Sequence, residues 1–193
     1  LEGKLEAKTS GGNVMLGKIV GLVLVKTSGG QIGLKECSEN AELNTSGGAI
    51  EVGLAAKQLI AKTSGGRIQI TRVGGALMAK TSGGNIQVDE AAGKTEAKTG
   101  GGSIKIKFPN QPKDDILLKT SAGVIHVGLK KGINLEVQAS NQVGGISGPF
   151  FKGAKRSKGK AMEASIGQGG PQLKATNSAG SIKFFYLDDE QAK

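Results

Sequence analysis

The tetrapeptide Thr-Ser-Gly-Gly returns every 18 residues, at Thr9–Gly12, Thr27–Gly30, Thr45–Gly48, Thr63–Gly66 and Thr81–Gly84. The variant Thr99-Gly100-Gly101-Gly102 falls on the next beat. A unit this short cannot bury its own apolar face, so successive copies must cover one another. The period therefore selects a stacked repeat before any other property of the chain is considered.

Written in register, the repeats resolve into columns. Residues ahead of the glycines alternate, as in Leu5-Glu6-Ala7-Lys8-Thr9 and Leu77-Met78-Ala79-Lys80-Thr81. Period-2 alternation marks a strand with one face inside. The inward columns are Leu5, Val23, Ala41, Leu59 and Leu77, then Ala7, Val25, Leu43, Ala61, Ala79 and Ala97. After the glycines, a second strand stacks Val14, Ile32, Ile50, Ile68, Ile86 and Ile104, then Leu16, Leu34, Val52, Ile70, Val88 and Ile106. Ile19, Cys37, Ala55, Val73 and Ala91 form a third, smaller column.

These columns predict an all-β fold: a single-chain parallel β-helix, or β-solenoid, with 18-residue coils and roughly nine of them. A left-handed hexapeptide helix has a similar coil length but needs apolar residues every six positions. Stepping from Val14 through Val20 reaches Lys26, and that pattern fails. Two main strands and a small third side fit better; both hands stay open, with a right-handed winding favoured. Gly-Gly is expected at a corner because one or both glycines need φ > 0. The Thr and Ser before them are expected to hydrogen-bond the turn, making a corner ladder rather than an exposed hydroxyl row.

Residues 1–107 carry the regular repeats, and 108–193 read as an irregular continuation of the same domain. A seventh copy, Ile116–Gly123, follows the inserted loop Phe108–Asp115, whose prolines cannot continue a ladder. A degenerate eighth copy starts at Leu135, and a last copy at Leu173–Ile182 closes the array. Between them, Gly144–Pro171 reads as a hairpin or loop excursion. Nearly all aromatic residues lie at or beyond Phe108, as expected of a terminal cap. The chain starts in mid-pattern, so a leader or membrane anchor is expected to precede it.

The closing stretch Ala164–Leu173, followed by Asn177-Ser178-Ala179-Gly180-Ser181-Ile182, makes the array more specific than a generic solenoid. The whole chain resembles a bacterial family described as adhesins, a domain of unknown function with tandem Thr-Ser-Gly-Gly or Thr-Ser-Asn-Gly repeats. That resemblance implies a β-helical fold and an exported setting: cell envelope, periplasm or extracellular space. It supplies no catalytic residues.

The net charge of +10 favours anionic partners. Lys8, Lys26, Lys62, Lys80 and Lys98 share one outward column, interrupted by Asn44, and Lys119 follows the insertion. Charges one strand spacing apart, about 4.8 Å, lie inside the screening length of about 8 Å. Such a row is a candidate face for an anionic cell-surface polymer, moderated by Glu6, Glu42 and Glu96; the plainer reading is a solubilising face. Lys152, Lys155, Arg156, Lys158 and Lys160 form a candidate basic loop, with a solvated segment as its plainer reading. Without interleaved stacking aromatics, specific nucleic-acid binding is not expected.

No cofactor or metal site is expected. Cys37 sits in a core column and precludes an internal disulfide, being the single cysteine. The single histidine, His126, points outward by alternation. Asp114-Asp115 and Asp188-Asp189-Glu190 lack evident converging partners for acid–base chemistry. No apolar run approaches the roughly 20 residues of a membrane span. The sequence thus points to a non-enzymatic scaffold or adhesive surface that binds an anionic polymer or stacks end to end with itself. A filament subunit and a polysaccharide-active β-helix enzyme are the alternatives.

Overall fold

A computed structural model describes residues 1–151, 156–157 and 161–190. The expected alternation becomes pairs of strands, one of four or five residues and one of five or six, wound at each 18-residue turn. They are β1 (Leu5–Lys8), β2 (Val14–Ile19), β3 (Val23–Lys26), β4 (Ile32–Cys37), β5 (Ala41–Asn44) and β6 (Ile50–Ala55). The series continues with β7 (Leu59–Lys62), β8 (Ile68–Val73), β9 (Leu77–Lys80), β10 (Ile86–Ala91), β11 (Thr95–Thr99) and β12 (Ile104–Phe108). Odd strands pair in parallel with odd strands, and even with even. Leu5 lies opposite Val23, Val23 opposite Ala41, and Val14 opposite Ile32. The result is a parallel β-solenoid.

The inward columns are the core. Val23, Leu43, Leu59, Ile50, Ile70, Ala55 and Val73 are fully buried. Side chains alternate in and out along each strand, so Val, Ile and Leu from opposite walls fill the narrow interior while Ala keeps it closed. In the first coil Leu5, Ala7, Val14 and Leu16 have neighbours on one side only and remain partly buried.

The corner is built differently from the expectation. No glycine of the five Thr-Ser-Gly-Gly copies has positive φ. The second glycine is needed for another reason. A Cβ at Gly30, Gly48, Gly66, Gly84 or Gly102 would fall under 3.0 Å from the backbone carbonyl of the corresponding glycine one coil below. Parallel coils touch backbone to backbone there. The Thr column does form the expected ladder. Thr45 Oγ1 donates to Gly30 O at 2.8 Å and accepts from Gly48 N–H at 3.3 Å; Thr63 repeats this with Gly48 O and Gly66 N–H at 2.9 and 3.2 Å. Thr27, Thr45, Thr63 and Thr81 are each only 7% exposed, so their hydroxyls are spent inside the corner.

The seventh turn is one long strand, β13 (Ile116–Leu129), which bends through the corner at Gly123, where φ is 137°. The inserted loop before it is stitched down by Gln111. Its side-chain amide accepts from Asn134 N–H at 2.8 Å and donates to Asn134 O at 2.9 Å, standing in for a strand.

Beyond this point the spatial order departs from the chain order. The remaining strands are β14 (Leu135–Val143), β15 (Ile146–Ser147), β16 (Arg156–Ser157), β17 (Ala161–Ile166) and β18 (Gln172–Tyr186). The last, β18, lies directly on β13 in parallel register, Ile116 opposite Leu173 and Ile125 opposite Ile182. The earlier β14 pairs outside β18, Val137 opposite Leu173. Strand β17 runs antiparallel on the far side of β14, and β16 pairs antiparallel with β17. Seven turns are therefore wound in sequence, and the closing copy is the layer beneath the degenerate eighth. At this end Phe150 packs edge-on against Phe184 at 5.2 Å and lies 4.7 Å from Phe151.

Candidate functional site

The short odd strands give their sheet an outer face only two residues wide. One column is Lys8, Lys26, Asn44, Lys62, Lys80, Lys98 and Lys119, consecutive in the ladder. The six lysines expected to share a face therefore do so. The other column reads Glu6, Leu24, Glu42, Ile60, Met78, Glu96 and Leu117. Sequence reasoning recognised its acids and missed the half-exposed Leu24, Ile60, Met78 and Leu117 between them. The signal was present, since those residues share the beat of Glu6. The face is cationic along one edge and mixed apolar and acidic along the other.

Its charges are unevenly neutralised. Glu96 takes both Lys98 and Lys80, at 2.8 and 2.9 Å. Hydrogen bonds from Lys98 first, and then Lys80, hold its carboxyl below the ordinary value, more than offsetting desolvation. Glu42 instead accepts from the Asn44 side chain at 2.8 Å. Lys8, Lys62 and Lys119 are exposed and make no ion pair among the described residues.

The basic loop is not placed. Lys152, Lys155, Lys158 and Lys160 lie outside the described residues, and of Arg156 only the backbone position in β16 is described. His126 points outward, half-buried, in register between Lys105 and Lys183. The Cys37 thiol is buried and donates to Gly21 O at 3.2 Å; burial pushes its pKa up, away from nucleophilic chemistry. Asp115 accepts the backbone N–H of Gln172 at 2.8 Å, which makes it a fastener for β18. Asp189 pairs with Lys131 at 2.8 Å. Among the described residues no group of three or more His, Cys, Asp or Glu could hold a metal ion. No helix among them is long and apolar enough to cross a membrane.

A concave feature lies on the even-strand side near the C-terminal end. It is a cavity of about 620 Å³ lined by Lys105, His126, Lys183, Phe185, Tyr186 and Asp189, among others. Sequence reasoning missed it because its walls come from three different repeats.

No curated protein and no solved structure gives a significant match to the chain. A family model does match, over residues 2–184, nearly the whole length. The match bears on the family and not on the description as adhesins: the chain belongs to the Toastrack DUF4097 family.

Proposed function

We propose that this protein is a non-enzymatic scaffold, exported to the cell envelope, whose odd-strand face adheres to an anionic polymer. A β-solenoid of this family suits a structural role, since its stack is a rigid rod with a regular surface. The observation that carries the reading is the single lysine column, with Lys8, Lys62 and Lys119 unpaired among the described residues. Parallel register sets successive positions of the column about 4.8 Å apart, so Lys8, Lys62 and Lys119, each three coils from the next, are spaced by about 14 Å. A flexible polyanion laid along the axis meets one ammonium after another, and Leu24, Ile60, Met78 and Leu117 offer its backbone an apolar rail.

Stacking end to end into a filament has less support. Beyond β14 the sheet continues into the antiparallel β17 and the two-residue β16, so among the described residues this end does not repeat the strand pair of a regular coil.

The test is calorimetric titration with polygalacturonate at two salt concentrations. The triple variant Lys26→Glu, Lys62→Glu, Lys119→Glu is expected to lose binding at least tenfold, and wild-type affinity is expected to fall steeply with salt. Full binding by that variant refutes the lysine-face reading.

A further inference from the structure

The even-strand face carries a second basic column, and unlike the first it sits in a hollow. Lys105 of β12, His126 of β13 and Lys183 of β18 are opposite one another in successive coils, and Ser147 of β15 continues the line. Next to them runs Lys107, Gly128 and Phe185. Gly128 leaves room for Phe185 and Leu187 to pack beside that line. A Cβ on Gly128 would meet Leu187 Cδ2 at 2.6 Å and two ring carbons of Phe185 at 2.9 Å, so both side chains pack over the glycine of the coil below. An aromatic surface thus borders a row of basic nitrogens. Tyr186 adds a second ring, with Lys131 Nζ 5.7 Å from its centroid, and Asp189 stands at the rim beside Lys131.

From this arrangement we infer that the cavity of about 620 Å³ is a binding site for an anionic sugar, one pyranose ring bearing a carboxylate or phosphate. Its volume falls within the ordinary range of about 300–1,000 Å³ for small-ligand sites, and it combines an apolar wall with a few converging polar groups. Each part has a partner. The exposed Lys183 donates to the oxyanion, for which charge-assisted hydrogen bonds are the strong ones, and Lys105 and His126 lie beside it in the ladder. Phe185 takes the apolar face of the ring. Asp189 and Ser147 accept hydroxyl protons, which a bare phosphate does not supply and a neutral sugar supplies without the charge. The inference is separate from the lysine column of the odd-strand face and does not depend on it.

The experiment is a nuclear magnetic resonance titration of the full chain with glucuronate, glucose 6-phosphate, glucose and inorganic phosphate. Saturable shifts of the His126 ring and the Lys183 and Tyr186 amides are expected with glucuronate or glucose 6-phosphate. The tighter of the two identifies carboxylate or phosphate as the recognised group. Glucose and inorganic phosphate are each expected to bind at least tenfold more weakly. Lys183→Gln, an exposed substitution, is expected to weaken binding about tenfold, and Phe185→Ala to remove the preference for the anionic sugar over inorganic phosphate; circular dichroism verifies that both fold. The triple variant of the odd-strand lysines is expected to bind as wild type. No saturable shift with either anionic sugar overturns the inference, as does equal affinity for inorganic phosphate or for glucose. Loss of binding in the odd-strand variant overturns it too, because the sugar would then belong to the other face.

Discussion

Replacing Gly66 by Ala tests the account of the corner most directly, with Gly65→Ala as its internal control. A Cβ on Gly66 would sit under 3.0 Å from the carbonyl of Gly48 and 2.8 Å from Ala49 N, all of it backbone. Non-bonded heavy atoms rest about 3.5 Å apart, so the coils must part by roughly 1 Å or more at this corner. That displacement breaks the bond from Thr63 Oγ1 to Gly48 O and distorts the one from Gly66 N–H to Thr63. Two partly buried hydrogen bonds at about 1 kcal/mol each, with about 1–3 kcal/mol of steric strain, give a loss of about 3–5 kcal/mol. At Gly65 the same methyl meets nothing nearer than 3.6 Å, and φ is not positive. Gly65→Ala should be neutral or stabilise by up to about 1 kcal/mol through the unfolded chain. Urea denaturation midpoints of the two variants give the comparison, and amide hydrogen exchange localises the damage to the third and fourth coils. Equal midpoints would refute the claim that backbone contact, rather than backbone torsion, selects glycine here.

Two further outcomes follow from the same corner and from the face beside it. Thr63→Val should destabilise by about 1–3 kcal/mol, because it orphans a partly buried carbonyl and a partly buried N–H, while Thr63→Ser should recover most of that in the same urea assay. Glu96 has a depressed folded-state pKa, so its contribution is present above the unfolded carboxylate pKa of about 4.3 and disappears as pH falls through the lower folded value. Wild type should therefore lose stability relative to Glu96→Gln over that acid window, and the two should converge at the acid end; parallel pH profiles would contradict the pairing with Lys80 and Lys98.

Much of this architecture was legible because an 18-residue beat fixes which residues stack. Once Thr27 lies over Thr9, the inward and outward columns follow from alternation alone, and the lysine column follows with them. The corner glycines were placed correctly for the wrong reason. Sequence shows that a Cβ is unwelcome at Gly66, but torsion and crowding by a neighbouring backbone leave the same mark. The late rearrangement was harder, since a period gives the geometry of a coil and says nothing of which coil comes next. The chain itself carries one clue. Ser121-Ala122-Gly123 and Ser178-Ala179-Gly180 share a corner that the earlier copies lack, and these two segments turn out to be adjacent layers, both glycines at positive φ. The even-face cavity left no periodic trace, because Gly128 and Phe185 matter through one ring packed over one glycine.

The insertion of β18 between β13 and β14 has a consequence for how the molecule is completed. Turns one to seven can be laid down in the order in which they leave the ribosome, each on the edge of the one before. Strand β14 is made earlier than its inner neighbour. It must either wait one strand spacing away from β13, or dock there first and be displaced when β18 arrives. The final step of assembly is thus a threading event rather than another addition. A chain cut short before Gln172 keeps its regular coils but cannot close its own end.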